Sequence, residues 1–132
     1  GTKLGAGYNL KTEIYIVDDD DSVRRAMKRL IRSAGMESRT FASAEELLDF
    51  ESINQNACMI IDIMLQSMSG LELYTELQAR GYNLPGIIIT GFDSPKTRHQ
   101  AKVAGAAGYF RKPIDDQALL DSIERIFAKP PH

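Results

Sequence analysis

The stretch IYIVDDDD, Ile14 to Asp21, carries an apolar, strand-like run straight into four consecutive carboxylates. An uninterrupted apolar run of this kind suits a strand covered on both faces by helices. The carboxylates repel one another and raise each other's pKa unless a cation, a helix N-terminus or open water relieves them. Which relief applies decides what the strand end does.

Working outward, short apolar runs alternate with amphipathic stretches, the pattern of βα units around a parallel sheet. EIYIV (13–17), a weaker ESRTF (37–41), ACMIID (57–62), GIIIT (86–90) and GYF (108–110) read as the strands. Val23, Met27, Leu30, Ile31 and Ala34 recur at helical spacing and Gly35 stops that helix. Its five basic residues, Arg24, Arg25, Lys28, Arg29 and Arg32, read as a solvated face. Ser43 with Glu46 has the spacing of a capping box opening a second helix. Leu71, Leu73, Tyr74 and Leu77 mark a third, bounded by Gly70 and Gly81 as breakers. Asp115 or Asp116 caps the last, whose apolar stripe is Leu119, Leu120, Ile123, Ile126 and Phe127. The fourth helix, 94–106, offers only Val103 and alanines as an apolar face, so packing should stabilise it least and its motion should be greatest.

With 132 residues, 43% of them hydrophobic, the chain can bury the core of one ordinary domain without disulfides or metals. A net charge of −2 gives no overall electrostatic reason to bind nucleic acid or a membrane surface. The lone cysteine, Cys58, lies in an apolar run and reads as a small buried hydrophobe; a disulfide framework is excluded. No apolar run approaches the roughly 18 residues of a membrane span, and a reducing cytoplasm is the expected location. Residues 1–11 read as a linker or added segment, 12–128 as the domain and 129–132 as a C-terminal tail.

In an open parallel sheet ligands bind beyond the carboxyl ends of the strands, where strand order reverses. Asp18 and Asp19 end the first strand, Asp62 the third and Thr90 the fourth, and Lys112 follows the fifth. Three carboxylates with one ammonium lack positive charge, and a hard dication with oxygen ligands, Mg²⁺ before Ca²⁺ or Zn²⁺, is the simplest remedy. The spaced acidic loop of a calcium site is absent, and His99 and His132 are poorly placed for zinc. Carboxylate, metal, lysine and hydroxyl together form the equipment of phosphoryl transfer, with Asp62 as the attacking carboxylate.

The set VDD (17–19), Asp62 followed by MSG (68–70), ITG (89–91) and Lys112-Pro113 resembles the receiver domains of bacterial two-component response regulators. The resemblance spans about residues 12–128. SAEELL, MSGLEL and IIITGFDS look most like the subgroup with nitrogen-fixation and nitrate-type output domains. It implies a flavodoxin-like α/β fold, five parallel strands in the order 2-1-3-4-5 between two helical layers. Asp62 would accept a phosphoryl group from a histidine kinase or histidine phosphotransfer protein. Asp18 and Asp19, with Asp62 and the backbone carbonyl of Met64, would hold Mg²⁺. Thr90 and Lys112 would bind the phosphoryl oxygens, and Tyr109 occupies the aromatic switch position. The face of the fourth helix, fifth strand and fifth helix would then change. Such a domain is not an enzyme acting on an outside metabolite; it assists only its own phosphorylation and dephosphorylation.

Two departures from the family stand out. Gln66 replaces the proline usual four residues after the acceptor, which bears on the rigidity of the 63–70 loop. Met64 and Phe92, bulky and apolar, flank the site where access of hydrolytic water is set, and slow self-dephosphorylation is the expectation. Asp20 and Asp21 read as capping and first-turn residues. The alternative is a degenerate receiver that binds partners without phosphorylation; the presence of all five site residues argues against it. A phosphatase of the haloacid-dehalogenase type would want D-x-D-x-T, whereas Asp20 precedes Asp21 and Ser22. The resemblance leaves open a homodimer through the fourth helix and fifth strand, the output domain and the cognate kinase. Direct nucleic-acid contact by this domain and membrane association are not expected.

Overall fold

Strand β1 (Glu13–Val17) ends at the carboxylate run, and helix α1 (Asp21–Ser33) begins inside it. The structure, a computed structural model, describes residues 12–128, so the expected linker 1–11 and tail 129–132 lie outside the described residues. The chain continues through β2 (Glu37–Phe41), α2 (Ala44–Leu48), β3 (Ala57–Asp62), α3 (Gly70–Ala79), β4 (Gly86–Thr90), α4 (Pro95–Val103), β5 (Gly108–Arg111) and α5 (Asp116–Ala128). All strand pairs are parallel, in the order β2-β1-β3-β4-β5. This is the expected 2-1-3-4-5 flavodoxin-like sheet. Its order reverses at β1 and β3, which opens the crevice at their carboxyl ends.

Strand alternation divides the core in two. Tyr15, Val17, Met59, Ile61 and Ile88 point to the layer that carries Leu47, Leu73 and Leu77, from α2 and α3. Ile14, Ile16, Ile60, Ile87 and Ile89 point to Met27, Ile31, Leu119 and Ile123, from α1 and α5. β3 and β4 are buried along their whole length, and burying one such isoleucine stabilises the fold by about 1.5–3 kcal/mol. β2 lies at the sheet edge, which explains why its sequence alternates instead of running apolar. Cys58 is fully buried, and burial pushes its thiol up to about 12, so it is an inert core residue.

The helix boundaries follow local chemistry. Asp20 caps α1, accepting from the backbone N–H of Ser22 and Val23, and Asp21 sits in the first turn as expected. Gly35 adopts φ +81° beyond its end, a conformation disfavoured for any residue with a Cβ. Asp115 accepts from the N–H of Ala118 at the start of α5. Glu46 departs from the full capping box: its carboxylate bonds the N–H of Ala42, one residue before the Ser43 cap. The complete box belongs to Ser69 and Glu72, bonded reciprocally at 2.9 and 3.1 Å. Gly70 therefore does not break a helix; it begins one. A Cβ there would stand 2.3 Å from the backbone oxygen of Asp62, so only glycine lets the start of α3 press against the end of β3.

Two expectations about side chains are corrected. Val103 is 73% exposed and is not the apolar face of α4; Ala101 is the residue α4 buries. Lys28 is not simply solvated, because its ammonium donates to the backbone oxygen of Ser38 on edge strand β2 at 2.9 Å.

Candidate functional site

Strand register brings the predicted residues to one edge. Val17 pairs with both Phe41 and Ile61, Asp62 with Ile89, and Thr90 with Arg111. Asp18 and Asp62 therefore leave the sheet level with one another, with Thr90 one residue and Lys112 two residues further along the strand direction. The Lys112 ammonium donates to Asp18 Oδ2 at 2.9 Å and to Asp62 Oδ2 at 2.8 Å, bridging strands at the reversal point. Asp18 and Asp62 are both buried, whereas Asp19 is exposed. One carboxylate oxygen from each of Asp18, Asp19 and Asp62 lies within 4.8 Å of the others, and no other group of three or more metal-type side chains occurs among the described residues.

Backbone contacts hold these carboxylates. Asp18 Oδ1 accepts from the N–H of Asp20 and Asp62 Oδ1 from the N–H of Met64, each at 2.9 Å. The Arg24 guanidinium donates to the Asp18 carbonyl at 2.6 Å, fixing the turn from β1 into α1. Burial pushes the Asp18 carboxyl above its usual range, against the hydrogen bonds from Asp20 and Lys112 and with the negative charge of Asp62. Burial works to lower Lys112, but its hydrogen bonds to Asp62 and Asp18 outweigh it and the ammonium is raised. Three carboxylates facing one ammonium leave two negative charges without a counterion, a deficit matched by a divalent oxygen-ligated cation.

Thr90 is buried, but its hydroxyl is turned to its own loop, donating to the Phe92 carbonyl at 3.2 Å and accepting from the Phe92 N–H at 3.0 Å. It is tied to the lysine through the main chain, since the Lys112 N–H donates to the Thr90 carbonyl at 2.7 Å. The Lys112-Pro113 peptide is cis. Tyr109 is partly buried and its hydroxyl donates to Asp93 at 3.0 Å. Met64 and Phe92 are exposed on either side of the crevice, at 55% and 74%. The 63–70 loop, without its proline, is tethered by a Ser67 hydroxyl bond to Glu45 and by the Gly70 N–H to the Ile63 carbonyl at 2.9 Å.

Arg24 and Asp93 are the participants that sequence reading passed over. Arg24 looked like one of five interchangeable basic residues, and its helix phase toward the β1 end was the only available signal. Asp93 carried none, because both of its side-chain partners come from outside its own loop. Among the described residues no helix is long and apolar enough to cross a membrane.

Known proteins are similar to this chain in sequence and fold. A family model described as the response regulator receiver domain matches residues 14–124. Transcriptional regulatory protein TdiR of Thauera aromatica is 34% identical over 115 residues, covering 87% of this chain and 51% of that protein. Nodulation protein W of Bradyrhizobium diazoefficiens is 36% identical over 113 residues, covering 86% of this chain and 50% of its own. The chain thus spans about half the length of the curated relatives it matches. Among solved structures, response regulator StyR superposes with a TM-score of 0.82 at 37% identity, over 89% of this chain and 60% of that one. FixJ-N superposes with a TM-score of 0.83 at 29% identity, over 94% of this chain and 99% of that one. A reversal-point crevice with its acid cluster, a family match across most of the chain and these relatives converge: the chain belongs to the response regulator receiver domains of two-component signalling.

Proposed function

We propose that Asp62 is the phosphoacceptor of this receiver, taking a phosphoryl group from a phosphohistidine of a kinase or phosphotransfer protein. The observation that carries this reading is the Lys112 ammonium held between Asp62 and Asp18 at 2.8 and 2.9 Å, with Asp19 in reach. An Asp62 carboxylate oxygen forms the new P–O bond as the P–N bond of the donor breaks, and its electron pair leaves on the imidazole. The N–H of Met64 on Oδ1 holds the carboxylate plane fixed, and Lys112 offers its charge to the incoming phosphoryl oxygens.

The uncompensated carboxylates fit Mg²⁺, which Asp18, Asp19, Asp62 and the Met64 carbonyl would hold. When bound, the ion supplies positive charge that offsets repulsion between the carboxylates and the phosphoryl group. The groove of Val23, Ala26, Met27, Leu30 and Ile114 between α1 and α5 reaches Lys112 and gives a donor helix an apolar seat. A cytoplasmic setting belongs to the same reading.

Thr90 would exchange its bonds to Phe92 for one to the phosphoryl group, and Tyr109 would follow. The resulting population shift alters the α4, β5 and α5 face. Incubation with acetyl phosphate and Mg²⁺ should add the mass of one phosphoryl group, and Asp62→Asn should abolish it. Equal labelling of that variant would move the acceptor elsewhere; absence of labelling in the parent chain would favour the phosphorylation-independent module.

A further inference from the structure

Asp93 is the point at which three otherwise separate parts of the α4 side meet. Its Oδ1 accepts from the Tyr109 hydroxyl of β5 at 3.0 Å, while its Oδ2 is ion-paired with Arg98 of α4. The Arg98 guanidinium also lies 5.7 Å from the centre of the Tyr109 ring, so all three side chains form one cluster. Asp93 itself adjoins Phe92, whose N–H and carbonyl are both bonded by the Thr90 hydroxyl. The chain from Thr90 to α4 is therefore short: hydroxyl, Phe92 peptide, Asp93 carboxylate, then Arg98 and Tyr109.

We propose that Asp93 is a positioning residue, a latch that pins Tyr109 and the first turns of α4 to the loop after Thr90, so that turning of Thr90 and release of α4 are one event. The proposal rests on the reading of Thr90 and Tyr109 as the switch pair. α4 has little else to hold it there. It buries Ala101 alone; beside the cluster the Tyr109 hydroxyl also meets the backbone of the Ser94 cap, and the remaining side-chain anchors lie at the far end, where the Tyr74 hydroxyl donates to Gly105 and Gln78 to Ala104. Loss of the latch frees the N-terminal end while the C-terminal end stays tied.

Partial desolvation of Asp93 is outweighed by its hydrogen bonds from Tyr109 and Arg98 and by the charges of Arg98 and Arg111. Its carboxyl is thus held below the usual range, and it carries its charge wherever the latch must act. Oδ1 and Oδ2 have different partners, so the two halves are separable by substitution. Asp93→Asn keeps an acceptor for Tyr109 but loses the ion pair, and Asp93→Ala loses both.

The test is amide hydrogen exchange of the unphosphorylated chain, read over residues 94–104 with α1 as the internal reference. Asp93→Ala should speed exchange of 94–104 by about fivefold and leave α1 unchanged, with Asp93→Asn in between. Thr90→Val, which keeps shape but loses both bonds to Phe92, should speed the same segment. Thr90→Val with Asp93→Ala should exchange no faster than Asp93→Ala alone. The latch is overturned if 94–104 exchanges at the parental rate in Asp93→Ala, if α1 speeds equally, or if the two substitutions add. No arm involves phosphorylation. Loss of labelling at Asp62 would leave this result standing, and flat exchange would leave the Asp62 assignment standing.

Discussion

Helices α1 and α4 each follow a strand that ends at the crevice, yet they are attached by different means. α1 buries Met27 and Ile31, sends Arg24 to the Asp18 carbonyl and Lys28 across to edge strand β2. α4 buries one alanine, leaves Val103 exposed and depends on polar contacts at its two ends. Apolar burial is lost only when packing opens, whereas a few exposed polar bonds cost little to exchange for others. The side that would hold the metal is built from packing. The side that would report phosphorylation is built from exchangeable bonds.

The comparison breaks most visibly in stability. Ile31→Ala removes a fully buried side chain from α1 and should lower unfolding free energy by about 2–5 kcal/mol in urea titration. Val103→Ala in α4 should stay within about 0.5 kcal/mol of the parent. A comparable loss at Val103 would mean that α4 is packed as firmly as α1. Within the acid run the contrast sharpens further. Asp19→Asn should weaken Mg²⁺ binding and acetyl phosphate labelling together, measured by calorimetry and intact mass. Asp21→Asn should leave both near parental values, since that carboxylate pairs with Arg24 and Arg25 on the helix surface.

A smaller effect separates the two rims of the crevice. Met64 stands on the β3 side and Phe92 on the α4 side, both exposed. Met64→Asn places an amide that can orient water beside the acyl phosphate, and should shorten its lifetime several-fold in a chase after removal of acetyl phosphate. An unchanged lifetime would shift control of hydrolysis to the Phe92 rim.

What the sequence disclosed follows the same division. The strands, the split of IYIVDDDD into core, site and cap, and the four charged residues of the crevice were legible because each rests on local order or on strand ends. Gly70 was misread because a glycine before an apolar stripe looks like a breaker; the contact that requires it, against the Asp62 carbonyl, belongs to the tertiary fold. Val103 was misread for a related reason, since nine residues with one buried position give too little periodicity to find the inner face. Lys28, Arg24 and Asp93 have partners 10, 6 and 16 residues away, chosen by how helices lie on the sheet.

The smallest predicted effect concerns how each helix is capped. Asp20 caps α1 with a carboxylate that accepts from the Ser22 hydroxyl at 2.7 Å and the Ser22 N–H at 2.9 Å. These bonds, with that of Val23, hold it below the ordinary aspartate value of 3.8. A carboxyl depressed on folding stabilises the native state above its unfolded pKa, and that contribution disappears as pH falls through the lower folded value. Ser94 caps α4 with a hydroxyl, accepting from Thr97 at 3.1 Å, and does not titrate in this range. Asp20→Asn keeps the acceptor but not the charge, so its melting temperature should lie slightly below the parent at neutral pH and meet it in acid, once the pH has fallen through the lowered folded pKa of Asp20. Ser94→Ala should be offset from the parent by the same amount across the series. Asp93 titrates in every variant and cancels from both differences. A pH-independent gap for Asp20→Asn would show that the cap of α1 works by geometry alone and that its charge adds nothing to the helix.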